Sequence, residues 1–130
     1  MKKSISKLAV LVMVLFSTIS LNAQSNETII KDLNEVLGKS LYKTEISVSD
    51  DGIVNRKDNN GNTFVFNLKD VKEIKSDNDG FQNLLIVLKK GKKSEGVVEG
   101  KKVESELNVV AFKNSDDCKK AIELFKKLIK

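Results

Sequence analysis

Apolar residues follow a helical period at the end of the chain, from Ser115 to Lys130. They recur at spacings of three and four, which places them on one face of a helix. Ser115 is a suitable N-cap for this helix, and Asp116 and Asp117 suit the positive end of its dipole. A stripe this wide must be covered, so we predict that the helix packs on a sheet. The stripe consists of Cys118, Ala121, Ile122, Leu124, Phe125, Leu128 and Ile129.

The same period predicts a second amphipathic helix near the start, over Glu27 to Leu37, with Gly38 as its stop. Between the two helices the period changes to two, which is typical of half-buried strands. Turns rich in Asp, Asn and Gly separate these strands. The predicted strands are Tyr42–Val48, Ile53–Lys57, Thr63–Leu68, Val71–Lys75, Phe81–Leu88 and Glu104–Phe112.

Two segments of the middle region differ from this alternation. Leu84 to Leu88 is apolar on both faces, which predicts a central strand covered by a helix. Lys89 to Lys102 is rich in lysine and glycine, and we predict a long irregular stretch there. Within it, Val97-Val98 either extends a strand or marks a hairpin tip. We expect Ile122, Phe125 and Leu128 of the last helix to pack on the sheet through Phe64, Phe66, Leu84, Ile86 and Val109.

The fold class that follows is α+β. We predict an N-terminal helix, a curled antiparallel sheet or small barrel of about six or seven strands, and a C-terminal helix packed on the sheet. The alternative is an open antiparallel sheet with both helices on one face. No repeat or linker divides residues 24–130, which we interpret as one domain.

Residues 1–23 have the pattern of a secretory signal peptide. Three lysines precede the apolar run Leu8–Phe16, and the small residue Ala23 suits a cleavage site. The alternative is a membrane anchor, but the apolar run is shorter than the roughly 20 residues that a spanning helix needs. We predict export to the periplasm or the medium, with the mature chain beginning at Gln24 or nearby.

Removal of this leader changes the charge of the chain. The full chain has 23 basic and 18 acidic residues, a net charge of +5. The leader contains three lysines and no acid, so the mature chain has 20 basic and 18 acidic residues, a net charge of +2. The charge therefore gives little support for a nucleic-acid partner. Arg56 is the only arginine.

The chain contains no histidine, which excludes Ser-His and Cys-His catalysis and the common zinc sites. The paired carboxylates Asp50/Asp51 and Asp77/Asp79 lie in predicted turns, where they are usually solvated. An EF-hand loop that starts at Asp58 would put Thr63 where glycine is required. We predict a non-enzymatic protein without cofactor or metal. A small carboxylate-dependent enzyme and a carrier of an apolar ligand remain the alternatives.

Cys118 is the only cysteine, so an intrachain disulfide is excluded. Its position on the apolar stripe predicts a buried core residue. The alternative is an intermolecular disulfide that links two copies of the chain.

Lysines flanking the glycine-rich segment form a candidate anion-binding site. We predict weak, salt-sensitive contact with an anionic envelope component, a membrane surface or an acidic protein. Glu95 and Glu99 lie within the segment, and lysine lacks the bidentate fork of arginine. The alternative is a solvated loop. The candidate residues are Lys89, Lys90, Lys92, Lys93, Lys101 and Lys102.

The order of elements from Leu41 to Lys130 resembles the pleckstrin-homology-like superfold. The resemblance rests on the strand and corner Phe64–Val71, the strand Leu84–Leu88, and Val109–Phe112 running into the last helix. It implies a small curled barrel with a helix across one opening, and a protein that binds lipid headgroups or peptides. The basic pattern for phosphoinositides is absent, since Asp50, Asp51 and Asp58 occupy the first hairpin. We therefore predict an exported binding or interaction module of the cell envelope.

Overall fold

The computed structural model describes residues 26–129. Helix α1 comprises residues 26–37 and helix α2 comprises Ser115–Ile129. A 3-10 turn, Leu68–Asp70, separates the third strand from the fourth. The strands are β1 (Glu45–Val48), β2 (Ile53–Lys57), β3 (Thr63–Asn67), β4 (Val71–Asn78), β5 (Gln82–Leu88), β6 (Ser94–Val98), β7 (Lys101–Ser105) and β8 (Leu107–Phe112).

The strands of the described region form two antiparallel sheets. The first has the order β1-β2-β3-β6-β7, and the second has the order β4-β5-β8. The α+β class, the two helices and the packing of α2 on a sheet are confirmed. The sheets do not close into a barrel, and the described residues form eight strands where about six or seven were predicted.

Strand β5 is the centre of the second sheet, as its apolar sequence predicted. It pairs with β4 along one edge and with β8 along the other. Helix α2 packs against all three strands. Its buried residues meet Leu84 and Ile86 in the core, together with Phe66 from the first sheet. Phe64 and Val109 lie outside this core, so their predicted place beneath α2 is wrong.

Helix α1 is attached to the edge of the first sheet through Asn34. The Asn34 side chain donates from Nδ2 to Ile46 O at 3.0 Å and accepts at Oδ1 from Ile46 N at 2.8 Å. Ile46 is on β1, the edge strand, so the amide replaces a neighbouring strand at that residue. The predicted start of this strand at Tyr42 is wrong, since residues 41 and 42 form a turn.

The stretch Lys89 to Lys102 was predicted to be irregular, and this is wrong for most of its length, whereas the alternative that Val97-Val98 extends a strand is confirmed. Strands β6 and β7 form a hairpin with the loop Glu99–Gly100, in which both residues have positive φ, 52° and 79°. Such values are typical of the tightest hairpin loops. Strand β7 includes Glu104, so β8 begins only at Leu107.

The cap of helix α2 is Asn114 rather than Ser115. Asn114 Oδ1 accepts from the backbone N–H of Asp116 at 2.8 Å and of Asp117 at 3.4 Å. Ser115 is the first helical residue. Asparagine and serine are about equally good caps, so sequence preference did not separate the two neighbours.

In the described part of the chain, no helix has both the length and the apolar character needed to cross a membrane. The predicted signal peptide, residues 1–23, lies outside the described residues.

Candidate binding cleft

A cleft of about 530 Å³ opens where the two sheets separate. We call it the inter-sheet cleft. Arg56 and Phe64 line it from the first sheet, and Asn108 and Val109 line it from β8. The turn after β2 and the tip of the β6–β7 hairpin complete its wall. Its lining thus comes from four separate parts of the sequence.

Arg56 joins the two sheets across this cleft. Its Nη2 donates to the Val109 carbonyl oxygen at 2.8 Å, and its guanidinium carbon is 5.1 Å from the centre of the Phe64 ring. The second distance is that of a cation–π contact. Only 8% of the Arg56 surface is exposed. Burial lowers the pKa of Arg56, while the nearby Asp58 carboxylate acts in the opposite direction. The guanidinium remains charged, because arginine does not deprotonate in proteins.

Arg56 is a largely buried cation without an ion pair in residues 26–129. The ion pairs of these residues are Lys57–Glu45, Lys75–Glu73 and Lys93–Glu104. Buried charges are normally paired, because desolvation costs far more than one hydrogen bond returns. The single bond to a neutral carbonyl leaves most of the guanidinium donors available to a ligand.

Asn108, on β8, carries a second unusual polar group, which is buried behind the cleft. Its side chain is 2% exposed, and neither Oδ1 nor Nδ2 has a hydrogen-bond partner in the described part of the protein. Native proteins contain few such groups, and each calls for an explanation. Asn108 precedes Val109, whose carbonyl accepts from Arg56, but the Asn108 side chain belongs to the inward series with Val110 and Phe112.

The outer edge of β8 is occupied by single hydrogen bonds rather than by a strand. The carbonyl of Leu107 accepts from Ser105 Oγ, that of Val109 accepts from Arg56, and that of Ala111 accepts from the Leu41 backbone N–H. These bonds satisfy alternate carbonyls of β8 without a paired strand, and the cleft lies along this edge.

Two turns are held together at the rim of the cleft. The Asp58 carboxylate accepts from the backbone N–H groups of Asn60 and Asn62, which fixes the turn between β2 and β3. Asn62 Oδ1 in turn accepts from Glu99 N at 3.1 Å, which ties this turn to the tip of the β6–β7 hairpin. These bonds fix the backbone of the rim, and with it the positions from which the Asp58 and Glu99 side chains extend.

The Phe64 ring depends on a glycine opposite it. Phe64 and Gly96 are register partners on β3 and β6. A Cβ atom at residue 96 would lie 2.5 Å from Cδ1 of the ring, closer than real Cβ contacts. Gly96 thus leaves room for the ring that supports the Arg56 guanidinium.

The structure does not bring the six lysines of the predicted anion site into one cluster. All six are exposed. Lys89, Lys90, Lys92 and Lys93 precede β6, whereas Lys101 and Lys102 follow the hairpin tip at the other end. A β-strand rises roughly 3.4 Å per residue, so the two groups of lysines lie about 14 Å apart along the hairpin. Lys93 is also 3.6 Å from Glu104.

We expect these lysines to give at most weak attachment to anionic vesicles, fading as salt shortens the Debye length from about 10 Å at 0.1 M. The measurement is co-sedimentation with anionic and neutral vesicles at low and high salt. It compares the wild type with a variant carrying Lys92→Glu, Lys93→Glu, Lys101→Glu and Lys102→Glu. Equal sedimentation of both proteins at low salt would contradict the anion-binding prediction.

The acidic turns are hydrogen-bonded to their own hairpins. Asp79 Oδ1 accepts from Asn83 Nδ2 at 2.9 Å and from Phe81 N at 3.3 Å. These bonds, the first above all, lower the pKa of Asp79. A general acid needs the opposite shift, so Asp79 is a turn-forming residue. In residues 26–129, no three acidic or cysteine side chains are grouped to hold a metal ion.

Cys118 is buried in the core, as predicted, and burial raises the pKa of its thiol. It has no disulfide partner.

Sequence reasoning missed the inter-sheet cleft, although one signal was present. Asn108 is the polar member of the inward-facing series Asn108, Val110 and Phe112, all of which are buried. A polar residue in an inward position of a strand requires a partner. That position, together with the single arginine at residue 56, was the available pointer.

Comparison with known proteins gives no match to a family model, to a curated protein or to a solved structure. The resemblance to the pleckstrin-homology-like superfold stays a prediction.

Proposed function

We propose that the protein is an exported, non-enzymatic binding module of the cell envelope and that the inter-sheet cleft is its binding site. The observation that carries the proposal is the largely buried guanidinium of Arg56, which lines the inter-sheet cleft and has no ion pair in residues 26–129. This cation loses water on folding and gains little from the described protein in return. A bound ligand would supply the missing partners. The leader sequence of residues 1–23 supports the export part of the proposal.

The groups in the cleft suit binding better than proton transfer. The Arg56 guanidinium stays protonated, and the Asn108 amide does not titrate. Asp58 is the carboxylate nearest to Arg56 along β2, and its Oδ1 and Oδ2 already accept bonds that fix the turn. A general base must be within reach of a substrate and free to accept its proton. The lining offers orientation and charge complementarity rather than a catalytic pair.

One experiment tests both parts of this proposal. The full chain, leader included, is expressed with ¹⁵N and purified from the envelope and the medium. Its intact mass should correspond to a chain that begins at Gln24 or nearby. Addition of a low-molecular-weight extract of the same compartments should then shift the side-chain N–H signal of Arg56 and the backbone signal of Val109.

Two variants control this measurement. Arg56→Lys should abolish the shift that the extract causes at Val109, because the planar guanidinium fork is gone. Lys93→Gln should leave the shifts unchanged, because Lys93 is exposed on the hairpin and does not line the cleft. A chain that retains residues 1–23, or spectra in which the extract leaves the Arg56 and Val109 signals unmoved, would contradict the proposal.

A further inference from the structure

We propose that the inter-sheet cleft binds an aliphatic monocarboxylate, a fatty acid of medium chain length, whose carboxylate lies between the Arg56 guanidinium and the backbone N–H of Val109. This inference rests on the proposed function, since it names the ligand class of the same cleft. It is argued from two adjacent hydrogen-bond donors, from the charge of the lining and from a group of exposed apolar side chains.

The peptide groups of β8 alternate between facing β5 and facing the cleft, as in any antiparallel pair. Glu106 O accepts from Leu88 N of β5. The N–H and carbonyl groups of Leu107 and Val109 therefore face the other way, toward the cleft that both residues line. Leu107 shows this directly, since its N–H and its carbonyl both bond the hydroxyl group of Ser105.

The Val109 N–H has no acceptor among residues 26–129, and Arg56 cannot serve as one. Arg56 binds the Val109 carbonyl at 2.8 Å, but a guanidinium has donors only. At Leu107 a single hydroxyl serves both backbone groups, because a hydroxyl both donates and accepts. The cleft thus presents a neutral donor and a cationic donor side by side, at one residue of β8.

An anionic group with two oxygens fits this pair of donors. One Nη2 hydrogen of Arg56 is directed to the Val109 carbonyl, and one face of the guanidinium lies against the Phe64 ring. The remaining donors lie in the plane of the guanidinium, where a carboxylate oxygen can accept from them. The second oxygen can accept from the Val109 N–H. The carboxylate would also supply the countercharge that no residue of the described chain provides within ion-pair distance.

The charge of the lining favours a monoanion. Arg56 is the one cationic side chain among the described lining residues, whereas Asp58 and Glu99 carry carboxylates. A phosphate monoester has a charge of about −1.5 to −2 at pH 7, so these carboxylates would oppose it more strongly than they oppose a carboxylate. A second acidic group in the ligand would be opposed in the same way. The rest of the ligand is therefore uncharged.

Exposed apolar side chains are concentrated at this cleft. Of the large apolar side chains that are well exposed in the described region, Tyr42, Leu107 and Val109 all line it, with exposed fractions of 48%, 41% and 40%. Single exposed apolar residues are ordinary, but a contiguous group marks a binding surface. Phe64 and Val98 extend the group, and the cleft volume of about 530 Å³ is within the range of small-molecule sites. An alkyl chain would cover this surface, whereas a short acid would leave it exposed.

The test is calorimetric titration of the purified, exported protein at pH 7 with octanoate and two matched compounds. The first, 1-octanol, has the same chain without the charge, and acetate has the carboxylate without the chain. We expect octanoate to bind and 1-octanol to bind at least about tenfold more weakly, since the alcohol loses a charge-assisted interaction. Acetate should show no heat of binding. In ¹⁵N spectra, octanoate but not 1-octanol should move the Val109 amide proton to lower field.

Variants assign the interactions to residues. Arg56→Lys keeps the charge but removes the planar fork, and it should weaken octanoate at least about tenfold. Leu107→Gln removes part of the apolar lining and should weaken octanoate at least about threefold. Its matched control is Val65→Gln, which should bind like the wild type, because Val65 is similarly exposed at 39% but lies outside the lining.

Thermal melts of each variant separate loss of binding from loss of folding. If Arg56→Lys does not fold, the comparison of octanoate with 1-octanol on the wild type still decides the role of the carboxylate. Equal binding of 1-octanol would overturn that role, and an unmoved Val109 amide signal would overturn the role of its N–H. Binding of acetate as tight as that of octanoate would overturn the role of the alkyl chain.

The same measurements distinguish failure of this inference from failure of the proposed function. If octanoate does not bind while the extract still shifts the Arg56 and Val109 signals, the ligand class is wrong and the proposed function stands. If neither octanoate nor the extract affects these signals, both fail.

Discussion

Replacement of Phe125 by alanine is expected to lower the free energy of unfolding by about 3–5 kcal/mol. Phe125 is 1% exposed on α2, which packs against β4, β5 and β8. Its removal loses the burial of an aromatic ring and leaves a cavity that the β-sheet below cannot fill by a small shift. A domain of this kind has roughly 5–15 kcal/mol of stability, so a large share would be lost.

Chemical denaturation of the wild type and of Phe125→Ala measures this change, through the midpoint and the dependence of the unfolding free energy on denaturant concentration. The matched control is Lys126→Ala, because Lys126 is the next residue on the same helix and is exposed. A surface change of this kind should stay within about 0.5 kcal/mol. If Phe125→Ala moved the midpoint no more than Lys126→Ala, then α2 would not be part of the core.

The elements that were predicted correctly are those whose apolar pattern is strong and local. Helix α2 has a complete stripe at the helical period, and its buried residues include Cys118, Ala121 and Phe125. Strand β5 is apolar on both faces, and it lies in the middle of its sheet beneath α2. In both elements, the apolar residues that form the sequence pattern are the residues whose burial stabilises the element.

The elements that were missed depend on partners far away in the sequence. The β6–β7 hairpin is poor in apolar residues, and its composition resembles that of a loop. It is held as a strand pair by the register of β6 with β3, in which Gly96 lies opposite Phe64. Strand preference of this kind depends on neighbours rather than on the segment itself.

The candidate site illustrates the same limit. The lysines were grouped because they are close in sequence, but a strand between them places them at opposite ends of a hairpin. Arg56 and Val109 come together although they are far apart in the chain, because β2 and β8 meet across the gap between the sheets. Closeness in sequence therefore predicted a lysine cluster that the fold does not form. The arrangement of the strands brings distant residues together instead.

Replacement of Asn108 by leucine is expected to raise the free energy of unfolding of the ligand-free protein by about 1–3 kcal/mol. The buried amide carries a desolvation penalty without a partner in the described chain. Leucine has a similar shape and removes that penalty. Most core substitutions destabilise a protein, so a gain here would show that the unpartnered amide opposes folding.

The matched control is Asn83→Leu on β5. Asn83 is also buried, but its Nδ2 donates to Asp79 at 2.9 Å, so the same change should lower stability. This bond lowers the pKa of Asp79 in the folded state. Its contribution is therefore present at neutral pH and is lost as the pH falls through the folded-state pKa, below the usual aspartate value of about 3.9.

The two asparagines should thus respond in opposite directions to one chemical change, as measured by denaturation at pH 7 without ligand. If Asn108→Leu destabilised the protein as Asn83→Leu does, the Asn108 amide would have a structural partner, such as a bound water molecule. A gain in stability would instead show that the buried amide has no partner in the folded protein and opposes folding.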